Sequence, residues 1–101
     1  MKYEVGLTFG VHGIFSFDVD ARSEDEAAEY ALQLAADLLV VVNVYKVRDS
    51  TFGVTVCLER YEGAVETYTV RAVDESDAVY EALRKATLSL DVETVNGEKY
   101  Y

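Results

Sequence analysis

The chain has 101 residues and a mass of 11.3 kDa, the length of one domain. Half of the residues are hydrophobic and 12% are aromatic, which excludes an intrinsically disordered chain. Cys57 is the only cysteine and His12 the only histidine, which excludes a disulfide scaffold and a cysteine-based zinc site. The N-terminal residues do not resemble a signal peptide, and the longest apolar run, from Leu38 to Val42, is too short to span a membrane. We therefore expect a cytoplasmic protein.

Acidic residues dominate the charge. Nineteen Asp and Glu residues stand against nine Lys and Arg residues, so the net charge is -10. A field of this sign repels nucleic acid and anionic lipid, and it attracts a basic protein surface. Two other interpretations stay open at this point: the charge serves only to keep the protein in solution, or it is an adaptation to high salt.

The first 22 residues predict two strands. Apolar residues at 3, 5, 7 and 9 alternate with polar residues or glycine, which is the period of a half-buried strand. The segment from Gly10 to Gly13 predicts a hairpin turn because glycine readily adopts positive φ. Residues 15, 17, 19 and 21 then form the inward face of a second strand.

A helix and a third strand follow. Ser23 and Glu26 form a capping box, and an apolar stripe continues from Ala27 to Leu38 at helical spacing. The segment from Leu39 to Val47 is rich in β-branched residues and apolar on both faces, which predicts a strand that is central in the sheet or covered by a partner.

The second half repeats these signals. A strand is predicted over 51–61, a turn at Glu62 and Gly63, and another strand over 68–72. Asp74 is the predicted N-cap of a second helix, which ends before a last strand over 90–95. Asn96 and Gly97 predict a turn, and residues 99–101 a short strand that folds back.

An internal repeat relates the two halves. With a shift of 51 residues, twelve of fifty aligned pairs are identical, where this composition gives about four by chance. Most of the identical pairs are apolar. The predicted fold is therefore a single α+β domain with a pseudo-duplicated ββαβ-ββαβ order, in which two helices cover one face of one mostly antiparallel sheet.

The candidate partner-binding residues lie in or next to the first helix. The segment from 20 to 37 carries six acids and only one base, Arg22, whereas the second helix carries Arg84 and Lys85. Tyr30 borders the acidic helix face, and an exposed tyrosine beside acids is typical of a protein interface. The predicted binding residues are Asp20, Glu24, Asp25, Glu26, Glu29, Tyr30 and Asp37. Capping alone explains several of these acids, and tyrosines that cover a helix–sheet seam are the alternative for Tyr30.

The remaining chemistry-bearing residues predict no catalytic, cofactor or metal site. Asp18 and Asp20 share a strand face where two carboxylates can hold a divalent ion, but solvated strand residues are the expected role. His12 is expected to be an exposed turn residue. Cys57 is expected on the sheet face opposite the core, with nothing that marks it as reactive.

A strand followed by a capped acidic helix, from Phe17 to Ala27 and again from Tyr68 to Ala78, resembles small accessory proteins of phages and mobile elements. Among such proteins, anti-CRISPR and DNA-mimic inhibitors are similar in size and charge. The resemblance covers about a quarter of the chain and concerns structural residues only, so it carries over no site. The order helix, three strands, helix over 23–89 is also similar to double-stranded-RNA-binding domains, but the acidic balance argues against that function.

These observations predict a non-enzymatic acidic protein-binding module. Its most concrete form is an inhibitor whose acidic face occupies a basic nucleic-acid-binding surface of a host defence nuclease, such as a CRISPR effector. The alternative is a structural or assembly protein that self-associates through its open sheet face, where Val40, Val42 and Val44 are predicted to point away from the helices. A second chain, in a homodimer, or the folded-back C-terminal tail is then expected to bury these residues. A small-molecule-binding domain is a third class, for which no convergent polar set is visible.

Overall fold

A computed structural model of the chain describes residues 1–97, so the predicted strand over 99–101 lies outside the described residues. The described chain contains six strands and two helices, in the predicted ββαβ-ββαβ order. In chain order these are β1 (Lys2–Phe9), β2 (His12–Asp20), α1 (Glu24–Asp37), β3 (Leu39–Arg48), β4 (Thr51–Leu58), β5 (Val65–Arg71), α2 (Glu75–Leu88) and β6 (Leu90–Gly97). The α+β class is confirmed, and β6 continues through the predicted turn at Asn96 and Gly97.

The prediction of one sheet is wrong, because the strands form two antiparallel three-stranded sheets. Sheet A has the strand order β2-β1-β6, and sheet B has the order β3-β4-β5. Helix α1 packs on sheet A and α2 packs on sheet B. Each helix presents a stripe of three fully buried alanines, which allows a close approach to its own sheet. Two helices therefore cover two separate sheets.

The two halves exchange their last strands. Strand β3 leaves α1 and pairs with β4 in sheet B, and β6 leaves α2 and pairs with β1 in sheet A. Strand β3 is thus an edge strand, and the prediction of a central strand is wrong. We refer to sheet A with α1 (residues 1–38 and 90–97) as unit A, and to sheet B with α2 (residues 39–89) as unit B.

A β-bulge in each exchanged strand explains why its apolar residues break the two-residue period. Val42 is the extra residue of β3, because Val41 pairs with Val56 and Asn43 with Thr55. Beyond the bulge the side chains change face, as expected for an inserted residue. Val44 therefore packs against the core, and the prediction that it shares the open face with Val40 and Val42 is wrong.

Strand β6 has the same bulge at the equivalent position. Glu93 is its extra residue, because Gly6 pairs with Thr94 and Leu7 with Val92. The inward residues of β3 and β6 are identical in type at equivalent places, namely Leu39, Val41 and Val44 in β3 and Leu90, Val92 and Val95 in β6. These three of the twelve identical pairs therefore have the spacing that the bulge requires.

The repeat needs one correction in the first strands. Leu39 pairs with Leu58, and its counterpart Leu90 pairs with Phe9, so Phe9 and Leu58 are equivalent although only 49 residues separate them. Five residues lie between Phe9 and Phe15, against seven between the equivalent Leu58 and Glu66, and these two extra residues absorb the difference. A shift of two residues keeps every side chain on its face, so the inward pattern was predicted correctly in spite of the offset.

The two units share one continuous hydrophobic core. Tyr61, in the β4–β5 loop, packs its ring 4.8 Å from that of Phe15 and 5.6 Å from that of Phe17, both in β2. Its hydroxyl donates a hydrogen bond to the Ser16 carbonyl oxygen at 3.2 Å. The β4–β5 loop of unit B therefore packs against and hydrogen-bonds to β2, the edge strand of unit A.

Candidate functional site

The first turn of α1 uses part of the predicted acidic segment for its own cap. Ser23 Oγ accepts a hydrogen bond from the Glu26 backbone N–H at 3.2 Å. The Glu26 carboxylate accepts hydrogen bonds from the Arg22 backbone N–H at 3.1 Å and from Arg22 Nη2 at 3.3 Å. The backbone hydrogen bond from Arg22 is the main cause that lowers the pKa of Glu26. Glu26 is thus engaged within the chain, while Glu24 and Asp25 are exposed to solvent.

A groove of about 410 Å³ lies between α1 and the edge strand β2. Three of the predicted residues, Asp20, Tyr30 and Asp37, line it together. Its other lining residues are Asp18, Val19, Gln33 and Leu34. The side chain of Leu34 is large, apolar and 46% exposed. The groove therefore combines carboxylates on both walls with an exposed apolar floor.

Tyr30 sits in the field of its acidic neighbours. The charge of Glu26 is the main cause that raises the pKa of Tyr30, and Glu29 acts in the same direction. Tyr30 is 39% exposed and lines the groove between α1 and β2. Glu29 is exposed but does not line the groove.

A second acidic surface lies on the open face of sheet A, the face away from α1. Glu4 stands directly opposite Asp18 across β1 and β2, and Lys2 stands opposite Asp20. The Met1 amino group pairs with Asp20 at 3.1 Å. Like charges directly opposite each other on a sheet are destabilising. The Glu4–Asp18 pair therefore favours a cation in front of it.

Strand β6 extends this acidic face on the other side of β1. Asp91 pairs with Thr8, and Glu93 is the residue of the bulge. Sequence analysis missed Glu4, Asp91 and Glu93. The alternation of β1 and β2 places Glu4 beside Asp18, but only the strand exchange brings β6, and with it Asp91 and Glu93, next to β1.

The equivalent open face of sheet B carries no carboxylate among residues 1–97. Arg48 and Arg71 flank Thr51 across the three strands. Next to them, the ring of Tyr45 lies over Gly53, where a Cβ atom would stand 2.3 Å from Tyr45 Cζ. A side chain at position 53 would displace the end of the Tyr45 ring from this place. Cys57 is on this face as predicted, between Val40 and Val65.

His12 has a structural role, and the prediction of an exposed turn residue is wrong. Its Nε2 atom lies 2.9 Å from the Val65 carbonyl oxygen and 3.6 Å from Glu66 Oε1. Glu66 also accepts a hydrogen bond from the Val11 backbone N–H at 3.4 Å. These contacts join the β1–β2 turn of unit A to β5 of unit B.

Over residues 1–97, no group of three or more His, Cys, Asp or Glu side chains is arranged to hold a metal ion. Neither of the two helices in that range is long and apolar enough to cross a membrane. Comparison with protein families, with curated proteins and with solved structures finds no significant match. The assignment of function therefore depends on the geometry and charge of the chain itself.

Proposed function

We propose that this chain is a cytoplasmic, non-enzymatic inhibitor that binds a basic surface of another protein, and that this surface normally binds nucleic acid. The proposed partner is a defence nuclease of the CRISPR effector type. The surface of this chain that would bind the partner lies on unit A. It consists of the open face of sheet A, the groove beside β2 and the exposed carboxylates of α1.

The uneven distribution of charge between the units supports this proposal. The two halves of the sequence, 1–50 and 52–101, each have a net charge of -5. After strand exchange, unit A holds ten carboxylates and two basic side chains, and unit B holds eight carboxylates and six basic side chains. The net charges are then -8 and -2. Solubility or high salt requires no such segregation, whereas a field concentrated on one unit can steer a basic partner to that unit.

The arrangement on unit A also fits a polyanion mimic. Carboxylates occupy the open face of the β2 edge, the first two turns of α1 and its C-terminal end, so they are spread along unit A and do not form a single cluster. Duplex DNA presents about one charge per 1.7 Å of its axis, and a basic groove that binds DNA follows such a line. Glu4 and Asp18 are like charges on directly opposite residues, and a Lys or Arg side chain of a partner that approaches them would offset this repulsion.

Affinity capture from a cell lysate tests the proposal. The immobilised chain is expected to retain a nucleic-acid-binding protein at low salt, and both high salt and added duplex DNA are expected to release it. Charge reversal by Glu29→Lys with Asp37→Lys should abolish capture. Glu59→Lys with Glu62→Lys is the matched control, because it makes the same charge change at exposed positions of unit B. Equal capture by wild type and both variants would show that the acidic surface serves only solubility.

The alternative, self-association through an open sheet face, loses part of its support. It required Val40, Val42 and Val44 on one face, but the bulge at Val42 turns Val44 toward the core. The apolar part of that face is thereby reduced.

A further inference from the structure

Strands β2 and β5 are equivalent edge strands with free backbone groups. Hydrogen bonds from Ala21 N–H to the Met1 oxygen and from Ala72 N–H to the Ser50 oxygen, both at 3.0 Å, fix which residues face the neighbouring strand. Because antiparallel pairing alternates, every second residue directs its N–H and C=O groups away from the sheet. In β2 these outward residues are Ser16, Asp18 and Asp20, and in β5 they are Val65, Thr67, Thr69 and Arg71.

Near the junction of the units, side chains of the same chain occupy one outward carbonyl group on each strand. Tyr61 binds the Ser16 oxygen, and His12 contacts the Val65 oxygen. Farther out, within residues 1–97, the outward backbone groups of Asp18 and Asp20 in β2 have no partner, and neither do those of the β5 residues from Thr67 onward. Each unit thus offers a short, open strand edge.

The surfaces beside these two edges have opposite charge at equivalent positions. The β2 edge and the adjoining face of α1 carry three carboxylates and no base. The equivalent positions of β5 and α2 carry three bases and one carboxylate, Glu81, which already pairs with Arg84 at 3.2 Å. The equivalent pairs are Asp18 and Thr69, Asp20 and Arg71, Tyr30 and Glu81, Gln33 and Arg84, Leu34 and Lys85, and Asp37 and Leu88.

The outer part of each of these two edges, residues 15–20 of β2 and 67–71 of β5, has none of the features that usually prevent strand addition. Natural edge strands are protected by bulges, prolines or inward-pointing charges. The chain has no proline, and the pairing of residues 15–20 and 65–71 with their neighbours is regular. The bulge of β2, opposite Leu7 and Thr8, and the inward-facing Glu66 of β5 lie near the junction of the units, and the bulges of β3 and β6 lie on the other two edges of the sheets.

We propose that the β2 edge of one copy of this chain binds the β5 edge of a second copy. Antiparallel addition joins sheet A of one copy to sheet B of the next in a continuous sheet of six strands, with acidic α1 beside basic α2. Asp18 and Asp20 then face Arg71 across the new strand pair, and Lys85 and Arg84 face Asp37 across the helices. The two edges differ, so the contact is head-to-tail and each added copy offers a new edge. This proposal does not depend on the proposed function.

Sedimentation of the whole chain from low micromolar to near-millimolar concentration tests the association. The average mass is expected to rise continuously past that of a dimer, and high salt is expected to reduce the rise. A monomer at every concentration would overturn the proposal. A closed dimer that the edge variants described next leave unchanged would also overturn it.

Complementary charge reversal identifies the two edges. Asp18→Arg with Asp20→Arg gives a basic β2 edge, and Arg71→Glu with Lys85→Glu gives an acidic β5 edge. Each double variant alone is expected to stay monomeric, while an equimolar mixture regains association, because each altered edge then meets an opposite charge. All four positions are exposed, and circular dichroism confirms the fold of each variant. A mixture that stays monomeric while wild type associates would assign the contact to another surface.

A proline substitution tests backbone pairing separately from charge. The Asp18 N–H points outward, so Asp18→Pro removes that donor and keeps the hydrogen bonds between β1 and β2. Asp18→Asn is the matched control, because it loses the same charge but keeps the N–H group. Loss of association in the proline variant alone is the expected result. Equal behaviour of the two variants would exclude strand addition at this edge.

Discussion

Units A and B are alike inside and different outside. Both have three antiparallel strands, a helix with a stripe of three buried alanines, an N-cap side chain that accepts from the third backbone N–H of the helix, and a bulge in the exchanged strand. Their surfaces differ in net charge, -8 against -2. The repeated residues therefore determine the fold, and the residues that do not repeat determine what each unit presents to other molecules.

The exchanged strands show this difference most clearly. The inward residues of β3 and β6 are the same, but the outward Val40 and Val42 of β3 correspond to Asp91 and Glu93 of β6. Exchange thus delivers two carboxylates to unit A, and it delivers Lys46 and Arg48 to unit B. A charge difference that is absent between the halves of the sequence arises between the units of the fold.

Separating the halves should have the largest effect. A cut at the turn between Asp49 and Ser50 gives one fragment whose β3 has lost β4 and another whose β6 has lost β1. Neither fragment retains a three-stranded sheet, and two strands with one helix bury too little apolar surface to be stable. We expect each fragment alone to be unfolded and the mixture to recover native helix content, measured by circular dichroism.

The contrary result would be a fragment 1–49 that folds as a monomer. Its α1 and hairpin would then be sufficient, and strand exchange would not be needed to form the core. Sedimentation of the same sample distinguishes a folded monomer from an exchanged homodimer, in which β3 of each copy pairs with β1 of the other.

Equivalent core truncations should have the next largest effect. Phe9 and Leu58 occupy matching places in β1 and β4 and are 0% and 1% exposed. Phe9→Ala is expected to lower the free energy of unfolding by about 3–5 kcal/mol, and Leu58→Ala by about 2–5 kcal/mol. Because one core spans both units, each variant should shift the whole transition in urea, with the same midpoint for helix content and tyrosine fluorescence. Two separate transitions would show that the units unfold independently.

Much of this fold was predictable from local patterns. The N-caps at Ser23 and Asp74, the alternation of β1 and the order of elements all follow from neighbouring residues, and the structure confirms them. The division into two sheets was not predictable, because hydrophobic periodicity shows that a strand is half-buried without showing which strand it pairs with.

As for the fold, the site residues that depend on neighbouring sequence were predicted, and those that depend on pairing between distant strands were not. Asp20, Tyr30 and Asp37 were predicted and do meet in one groove. Asp91 and Glu93 were missed because their place on the acidic face depends on pairing between distant strands, whereas Glu4 was missed although the β1–β2 hairpin places it opposite Asp18. The bulge was visible in principle: the repeated Leu39, Val41 and Val44 have a spacing that a regular strand cannot keep on one face.

The smallest predicted effect concerns the helix N-termini, where the two units differ in the charged and aromatic side chains around the cap. Glu26 in unit A accepts a backbone hydrogen bond from Arg22, and its counterpart Asp77 in unit B accepts one from Val73. Only unit A adds the Arg22 side chain and a nearby tyrosine. The pKa of Glu26 is lowered below its ordinary 4.5, first by the Arg22 backbone hydrogen bond. The stability that it contributes is therefore present above pH 4.5 and is lost as the pH falls through the lowered pKa.

Glu26→Gln should remove this part of the acid dependence, measured as the urea midpoint against pH. It should also lower the pKa of Tyr30 toward 10.0, because the charge of Glu26 is the main cause that raises it. The absorbance of the phenolate group reports this titration, and Tyr30→Phe identifies its share among the eight tyrosines. Asp77→Asn is the matched control, because it weakens the equivalent cap and leaves the surroundings of Tyr30 intact. If Glu26→Gln and Asp77→Asn left the titration of Tyr30 equally unchanged, the acidic field over the groove would be too weak to perturb a neighbouring hydroxyl, and the electrostatic contrast between the two units would lie elsewhere on unit A.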